Sequence, residues 1–300
     1  MDLSLFIMVV RFMTPILLAA LGGLITDIAG VVNIGLEGMM LTSAFAAVTV
    51  GSSTGSWLIG TLAGIMASLI IALAIGLFSI KMNVDILIVG FAVNILGSGL
   101  TIFLLNSLFG VTGNYTPSTP VSIPEVTFPF LQDVPIIGRL LSGHSLMIWI
   151  ALAAVALCMV LIYRTPYGVH LRCVGEAPTA AKSLGISVKR IQYSSLLWSG
   201  LFTGLAGSYM SIGLTSMFVT DMTGGTGFIA LAVVLFGNRK PLGVLLGSVI
   251  FGLATAVTTI VQTSQGVQFP SQFIQMVPYL ATLVVLIVFA VRKKRMVSLA

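Results

Sequence analysis

Apolar residues run along this chain in long blocks rather than in alternation. Blocks at residues 3–25, 57–80, 86–109, 145–163, 191–213, 242–261 and 273–291 each approach or exceed the roughly 20 residues a helix needs to cross a bilayer. Two more, at 39–50 and 227–236, are too short for a full crossing, and each follows a polar, Gly-rich stretch. The first of those stretches reads TDIAGVVNIGLEG. Short apolar segments behind such stretches are the pattern of broken or half helices in transporters. A β-barrel would alternate apolar and polar positions, and these blocks do not. The expected fold is an all-α polytopic membrane protein with about 8–10 transmembrane helices, broken ones included, in a single transmembrane domain over residues 1–300.

Composition agrees. Of 300 residues 57% are hydrophobic and 7% charged, with mean hydropathy +1.13, against about 25% charged in a soluble domain. Lipid must cover what water would otherwise meet. The net charge of +6 does not point to nucleic acid, because the basic residues gather in short loops. Alternating the spans places twelve of the fourteen on one side, which the positive-inside rule makes cytoplasmic. That side holds Lys81, five basic residues in loop 164–190, Arg239, Lys240 and Arg292 to Arg295, so the C-terminus is expected on the cytoplasmic side of the cell membrane. Loop 110–143 then lies outside, stiffened by five prolines and suited to docking or to a plain surface crossover. Arg11 stays unplaced. Asp2 stands where a signal peptide needs basic charge, so the first span is expected to be retained. Cys158 and Cys173 support no disulfide or metal site.

One island breaks the apolar pattern: VGEAPTAAKSLGISVKR, residues 174–190. Pro178 suits a first helical turn, Glu176 places negative charge before it, Lys182 lies toward the other end, and Gly185 suits the left-handed cap that stops a helix. The expected helix covers residues 178–184. A helix this short is marginal alone. Its small residues, Ala180, Ala181 and Ser183, fit it to a cleft on a cytosolic partner; the plainer alternative is an incidental interfacial helix.

The stretch LRCVGEAPTAAKSLGISVKRIQYSSLLWSGLFTGLAGS resembles the cytoplasmic coupling segment and following span of the ABC importer permeases that serve branched-chain amino acids, ribose-type sugars and nucleosides. GVVNIGLEGMML and GGTGFIALAVVLFGNRKPLGVLLGSVIFG resemble two further segments of that family, and NIGLEG resembles its nucleoside and simple-sugar subgroup. The resemblance implies a permease subunit, most like those for nucleosides. It implies that Glu176, Pro178, Ala180, Ala181, Lys182 and Gly185 couple to a separate ABC ATPase subunit. It also implies a second, often different, permease subunit and an extracytoplasmic substrate-binding lipoprotein. This chain is expected to bind no cofactor, ATP being used by the partner. It has no GxxxxGK[ST] loop, and no lysine follows a glycine anywhere.

Polar groups inside spans cost several kcal/mol unless they face a path or a partner. The candidates for the translocation path or its gate are Asn33, Glu37, Asn94, Asp221 and Thr226, with Phe91 and Phe228 as stacking faces for a planar solute. For Glu37 the structural alternatives weigh more: a cap on the broken helix, or a pair with Arg11. Asp85 is expected to pair with Lys81, and Asp221 either to face outside toward the binding protein or to cap a loop. The rival readings are a permease for simple sugars, a self-sufficient secondary transporter with an ion-coupling site, and a membrane enzyme. No paired catalytic motif favours the last.

Overall fold

A computed structural model describes residues 3–126 and 143–263. Ten helices follow in order among them: α1 (Leu3–Ile28), α2 (Leu36–Thr54), α3 (Trp57–Gly76, prolonged by a π-helical turn Leu77–Lys81), α4 (Ile86–Phe109), α5 (Leu146–Tyr163), α6 (Pro166–Glu176), α7 (Pro178–Ser183), α8 (Val188–Ser208, prolonged by a π-helical stretch Tyr209–Thr215), α9 (Thr226–Phe236) and α10 (Pro241–Thr263). The fold is all-α and polytopic. Four two-residue strands, β1 (Asn114–Tyr115), β2 (Glu125–Val126), β3 (His144–Ser145) and β4 (Phe218–Val219), pair β1 with β4 and β2 with β3.

The apolar blocks match most of these helices to within a few residues. The exception is the block at 39–50, expected as a half helix. Helix α2 instead has 19 residues, about 28 Å. Its first turn holds Glu37 and Gly38 and its last ends in Ser and Thr, which hid it from an apolar pattern. The block at 227–236 is short as expected: α9 has 11 residues, about 16 Å. The span expected at 273–291 and the basic residues 292–295 lie outside the described residues.

Among the described residues five helices are long and apolar enough to cross a membrane: α1, α3 with its extension, α4, α5 and α10. Helices α2 and α8 are more polar because they touch other helices more than lipid. Helix α2 wedges between α3, α4 and α8, while α1 is wrapped by α5, α8, α9 and α10. Glycines let these backbones meet. A Cβ at Gly60 would fall 2.6 Å from the Ala47 carbonyl oxygen, and one at Gly204 would fall 2.7 Å from the Ile65 Cα. Hydroxyls then reach across: Ser43 Oγ donates to the Gly204 carbonyl at 2.6 Å. In lipid such packing and hydrogen bonds drive helix association, at about 0.6 kcal/mol per bond, because apolar burial between helices gains little. Pro15 inside α1 is tolerated, and beside it Thr14 Oγ1 donates to the Val10 carbonyl at 2.7 Å.

Among the described residues two ion pairs mark the ends of the bundle. Arg239 meets Asp27 at 2.9 Å and Arg11 meets Glu125 at 3.7 Å. The basic end therefore gathers the end of α1, the α9–α10 turn and the segment 164–190. The start of α1 lies at the far end with residues 110–126. Arg11 thus pairs with Glu125 and not with Glu37. Asp85 does not pair with Lys81 either; its side chain caps α4 by accepting from the Leu87 N–H at 2.8 Å.

Candidate functional site: a polar layer at mid-depth and a basic-end segment

Residues 29–35 leave the end of α1 and climb back into the bundle before α2 begins. The one polar side chain among them, Asn33, and Asn94 on α4 close that break. Asn33 is buried; its Oδ1 accepts from the Gly35 N–H at 3.0 Å and its Nδ2 donates to Ser199 Oγ on α8 at 3.0 Å. Asn94 on α4 does the same from the other side, accepting from the Gly38 N–H at 2.8 Å and donating to the Ile34 carbonyl at 3.0 Å. The helix N-terminus thereby finds partners that water cannot supply inside a bilayer.

Helix α9 also starts inside the bundle, and Glu37 serves it. Its Oε1 accepts from Thr223 Oγ1 at 2.6 Å and from the Gly225 N–H at 2.8 Å, and its Oε2 accepts from the Gly227 N–H at 2.6 Å. Thr226 turns inward, its hydroxyl donating to the Thr223 carbonyl. A carboxylate from α2 thus sits on the positive end of α9. The fit depends on Gly227, where a Cβ would fall 2.5 Å from the Glu37 nitrogen.

Helix α4 measures the depth of this layer. Its 24 residues span about 36 Å. Ser98 lies about halfway along it, and Ser98 Oγ donates to Asp221 Oδ1 at 2.7 Å. The Asp221 side chain therefore reaches the mid-length of α4, and its backbone is left-handed at φ 54°. The layer brings together Asn33, Glu37, Asn94, Asp221 and Thr226. Phe91 and Phe228 remain exposed, at 54% and 41%, while Phe202 and Phe218 are core residues. Sequence reading missed Ser98, whose only signal was a hydroxyl between two glycines inside an apolar span.

The island at the basic end has more structure than expected. Helix α6 precedes it, capped by Thr165 Oγ1, which accepts from the Gly168 N–H at 3.3 Å. Tyr167 fastens α6 to α8 through Ser194 Oγ at 2.9 Å, and burial pushes its pKa up. Glu176 is the last residue of α6 rather than a charge on the start of α7. It lines a small cavity with Arg172 and Arg239. Helix α7 begins at Pro178 and stops one residue earlier than expected. Gly185, at φ 81°, donates to the Lys182 carbonyl at 3.0 Å, and Ile186 donates to the Ala181 carbonyl at 3.0 Å. These are the two bonds of a Schellman stop.

The orientation of α7 corrects the expected docking face. Ala181 is buried against its own chain at 2% exposure, whereas Ala180 and Lys182 face outward. Leu184 is 78% exposed, the most exposed large apolar side chain among the described residues. Beside α7 a groove of about 670 Å³ runs to the α3–α4 turn, with Lys182 and Lys189 on its wall. The segment also touches the polar layer's root. The Gly175 backbone packs on the Ile28 carbonyl, and a Cβ there would lie 3.1 Å from the Gly30 nitrogen.

A bundle of membrane-crossing helices, with two further helices that start inside it and a helical segment folded across one end, fits a multi-pass membrane transport subunit. The chain belongs to the family described as branched-chain amino acid transport system / permease component, whose model matches residues 5–291. It is a permease subunit of an ABC importer and not an enzyme, and membership implies an ATPase partner and a binding protein. It is 31% identical over 290 residues to the nucleoside ABC transporter permease protein NupC of Lactococcus lactis subsp. cremoris, covering 93% of this chain and 89% of the relative. It is 32% identical over 286 residues to the guanosine ABC transporter permease protein NupQ of Bacillus subtilis, covering 92% and 88%. The glucose ABC transporter permease protein TsgB13 of Haloferax volcanii is 25% identical over 283 residues, covering 90% and 72%. A solved ABC transporter in an inward-facing conformation matches with TM-score 0.53 and 17% identity over 93% of this chain and 84% of that one, a likeness of fold alone.

Proposed function

We propose that this chain moves nucleosides inward across the cell membrane, driven by a separate ATPase that docks on the α6–α7 segment and fed by an extracytoplasmic binding lipoprotein. The observation that carries the substrate reading is the 31–32% identity, over nine-tenths of the chain, to a nucleoside and a guanosine permease. The polar layer of Asn33, Glu37, Asn94, Asp221 and Thr226 forms part of the path or its gate, with Phe91 and Phe228 offering faces to a nucleobase. Simple sugars are the second reading, favoured by the glucose permease relative. The chain pairs with a second permease, and its basic end faces the cytoplasm.

The test is uptake into proteoliposomes holding the full complex with ATP inside and binding protein outside. Labelled guanosine is expected to accumulate and labelled glucose not; the reverse result would replace nucleosides with sugars. The purified chain alone is expected to hydrolyse no ATP, and turnover above the empty-vesicle background would remove the need for a partner.

Sidedness has its own test. Cysteines placed at Ser118 and Ser183, both exposed, in a background lacking Cys158 and Cys173, are expected to react with an impermeant thiol reagent from opposite sides, Ser118 from outside. Reaction of both from outside would overturn the assignment.

A further inference from the structure

We infer that Asp221, held by Ser98, is a solute-contact residue that recognises a vicinal pair of hydroxyls; the inference rests on the nucleoside reading above. Asp221 is an exposed carboxylate at the middle of α4's length, where lipid would make a charged group costly. It therefore faces a water-filled space or the solute that crosses it. The segment between β4 and α9 holds it there. Val219 pairs with Asn114 and the Thr220 N–H donates to the Gly113 carbonyl at 2.7 Å, so Asp221 stands one residue past the strand pair and reaches down to Ser98 through its side chain. Asp221 then turns the chain in the left-handed region, φ 54°, where a non-Gly residue is uncommon and the Asp type is better tolerated than most. Its carbonyl accepts from the Gly224 N–H at 2.9 Å, which closes the turn.

The chemistry follows from valence. A carboxylate offers about four lone-pair sites and no donor. Ser98 takes one of them, at 2.7 Å on Oδ1, which fixes the plane of the group. Among the described residues no salt bridge neutralises it. What remains is an oriented acceptor edge whose complement is a pair of adjacent O–H donors. Nucleosides with an intact ribose carry that pair, and so do simple sugars. Amino acids lack that pair and would offer the carboxylate an ammonium instead. Phenylalanine faces carry no charge and accept no strong hydrogen bond, so the acceptor edge is what separates a hydroxyl-bearing solute from one of similar shape without hydroxyls.

The experiment compares guanosine with 2′,3′-dideoxyguanosine in the reconstituted complex, for the unaltered chain and for Asp221→Asn. The binding protein favours guanosine equally with either permease, so its preference cancels in the ratio of ratios. Asp221→Asn is expected to lower the initial guanosine rate at least tenfold more than the dideoxyguanosine rate, since hydrogen bonds to a charged acceptor are the strong ones. Ser98→Ala, which keeps the carboxylate but frees its plane, is expected to shift the ratio in the same direction by a smaller factor. Equal loss of both solutes in Asp221→Asn, or no loss of either, would overturn the inference and leave the nucleoside reading intact. An unaltered complex that moves no guanosine would overturn that reading and this inference with it.

Discussion

Glu37→Gln is expected to reduce uptake at least tenfold while the chain still reaches the membrane. Glu37 accepts three hydrogen bonds and donates none: Thr223 Oγ1 and Gly225 N–H on Oε1, Gly227 N–H on Oε2. Glutamine is isosteric, but one of its two positions is an NH₂. Whichever way the amide turns, a donor faces a donor at the start of α9. Losing a bond to a charged acceptor costs about 1.5–3 kcal/mol, and leaving an N–H unsatisfied costs about 1–3 kcal/mol more. Removing a charge from the membrane offsets at most about 2.5–3.5 kcal/mol. The offset is smaller here because Glu37 is only half-buried and lies in a polar layer. The net loss falls on the packing of α9 against α2, so thermal unfolding in detergent should begin at lower temperature. Gly227→Ala is expected to give the same phenotype by another route, because its Cβ would sit 2.6 Å from the Glu37 Cα. Uptake and melting unchanged in Glu37→Gln would show that this carboxylate does not hold the broken helix.

The sequence made the membrane class and most helix bounds readable because lipid imposes a single requirement, an apolar block of fixed length. Residues 86–109 were legible for that reason: α4 occupies the same positions. Helix α2 was misjudged because it escapes the requirement. It lies among α3, α4 and α8, where Glu37, Thr42 and Ser43 find partners inside the protein. Ion pairs failed for a related reason. Sequence offers near neighbours, such as Lys81 for Asp85, but Asp27 pairs with Arg239 across the fold. The stop at Gly185 was legible because one residue type suits its backbone. The rotation of α7 was not. With six residues, two alanines and no apolar stripe, nothing in the sequence says which alanine turns inward. Leu184 was the available signal, the first large apolar residue after α7 begins at Pro178.

That rotation moves the proposed ATPase contact from Ala181 to Leu184, and Leu184→Asp is the variant expected to expose it. A leucine moved from water into a partner's pocket contributes about 1.5–3 kcal/mol. An aspartate in the same pocket forfeits that and strands a buried charge at several kcal/mol. At about 1.4 kcal/mol per tenfold, affinity for the ATPase should fall at least a hundredfold. The chain itself should tolerate the change, since Leu184 is 78% exposed and the bonds that stop α7 are made by Gly185 and Ile186 backbone N–H groups. Ala181→Arg should behave differently. It forces a long cation into a site 2% exposed, so it should disorder the segment before any question of docking arises. The two are separated by limited proteolysis of the 164–190 segment: Leu184→Asp should keep the unaltered cutting pattern and Ala181→Arg should be cut readily. Both should lose uptake. In pull-downs Leu184→Asp should fail to retain the ATPase despite its intact segment. If Leu184→Asp retained the ATPase and moved solute at the normal rate, the exposed leucine would have no part in coupling.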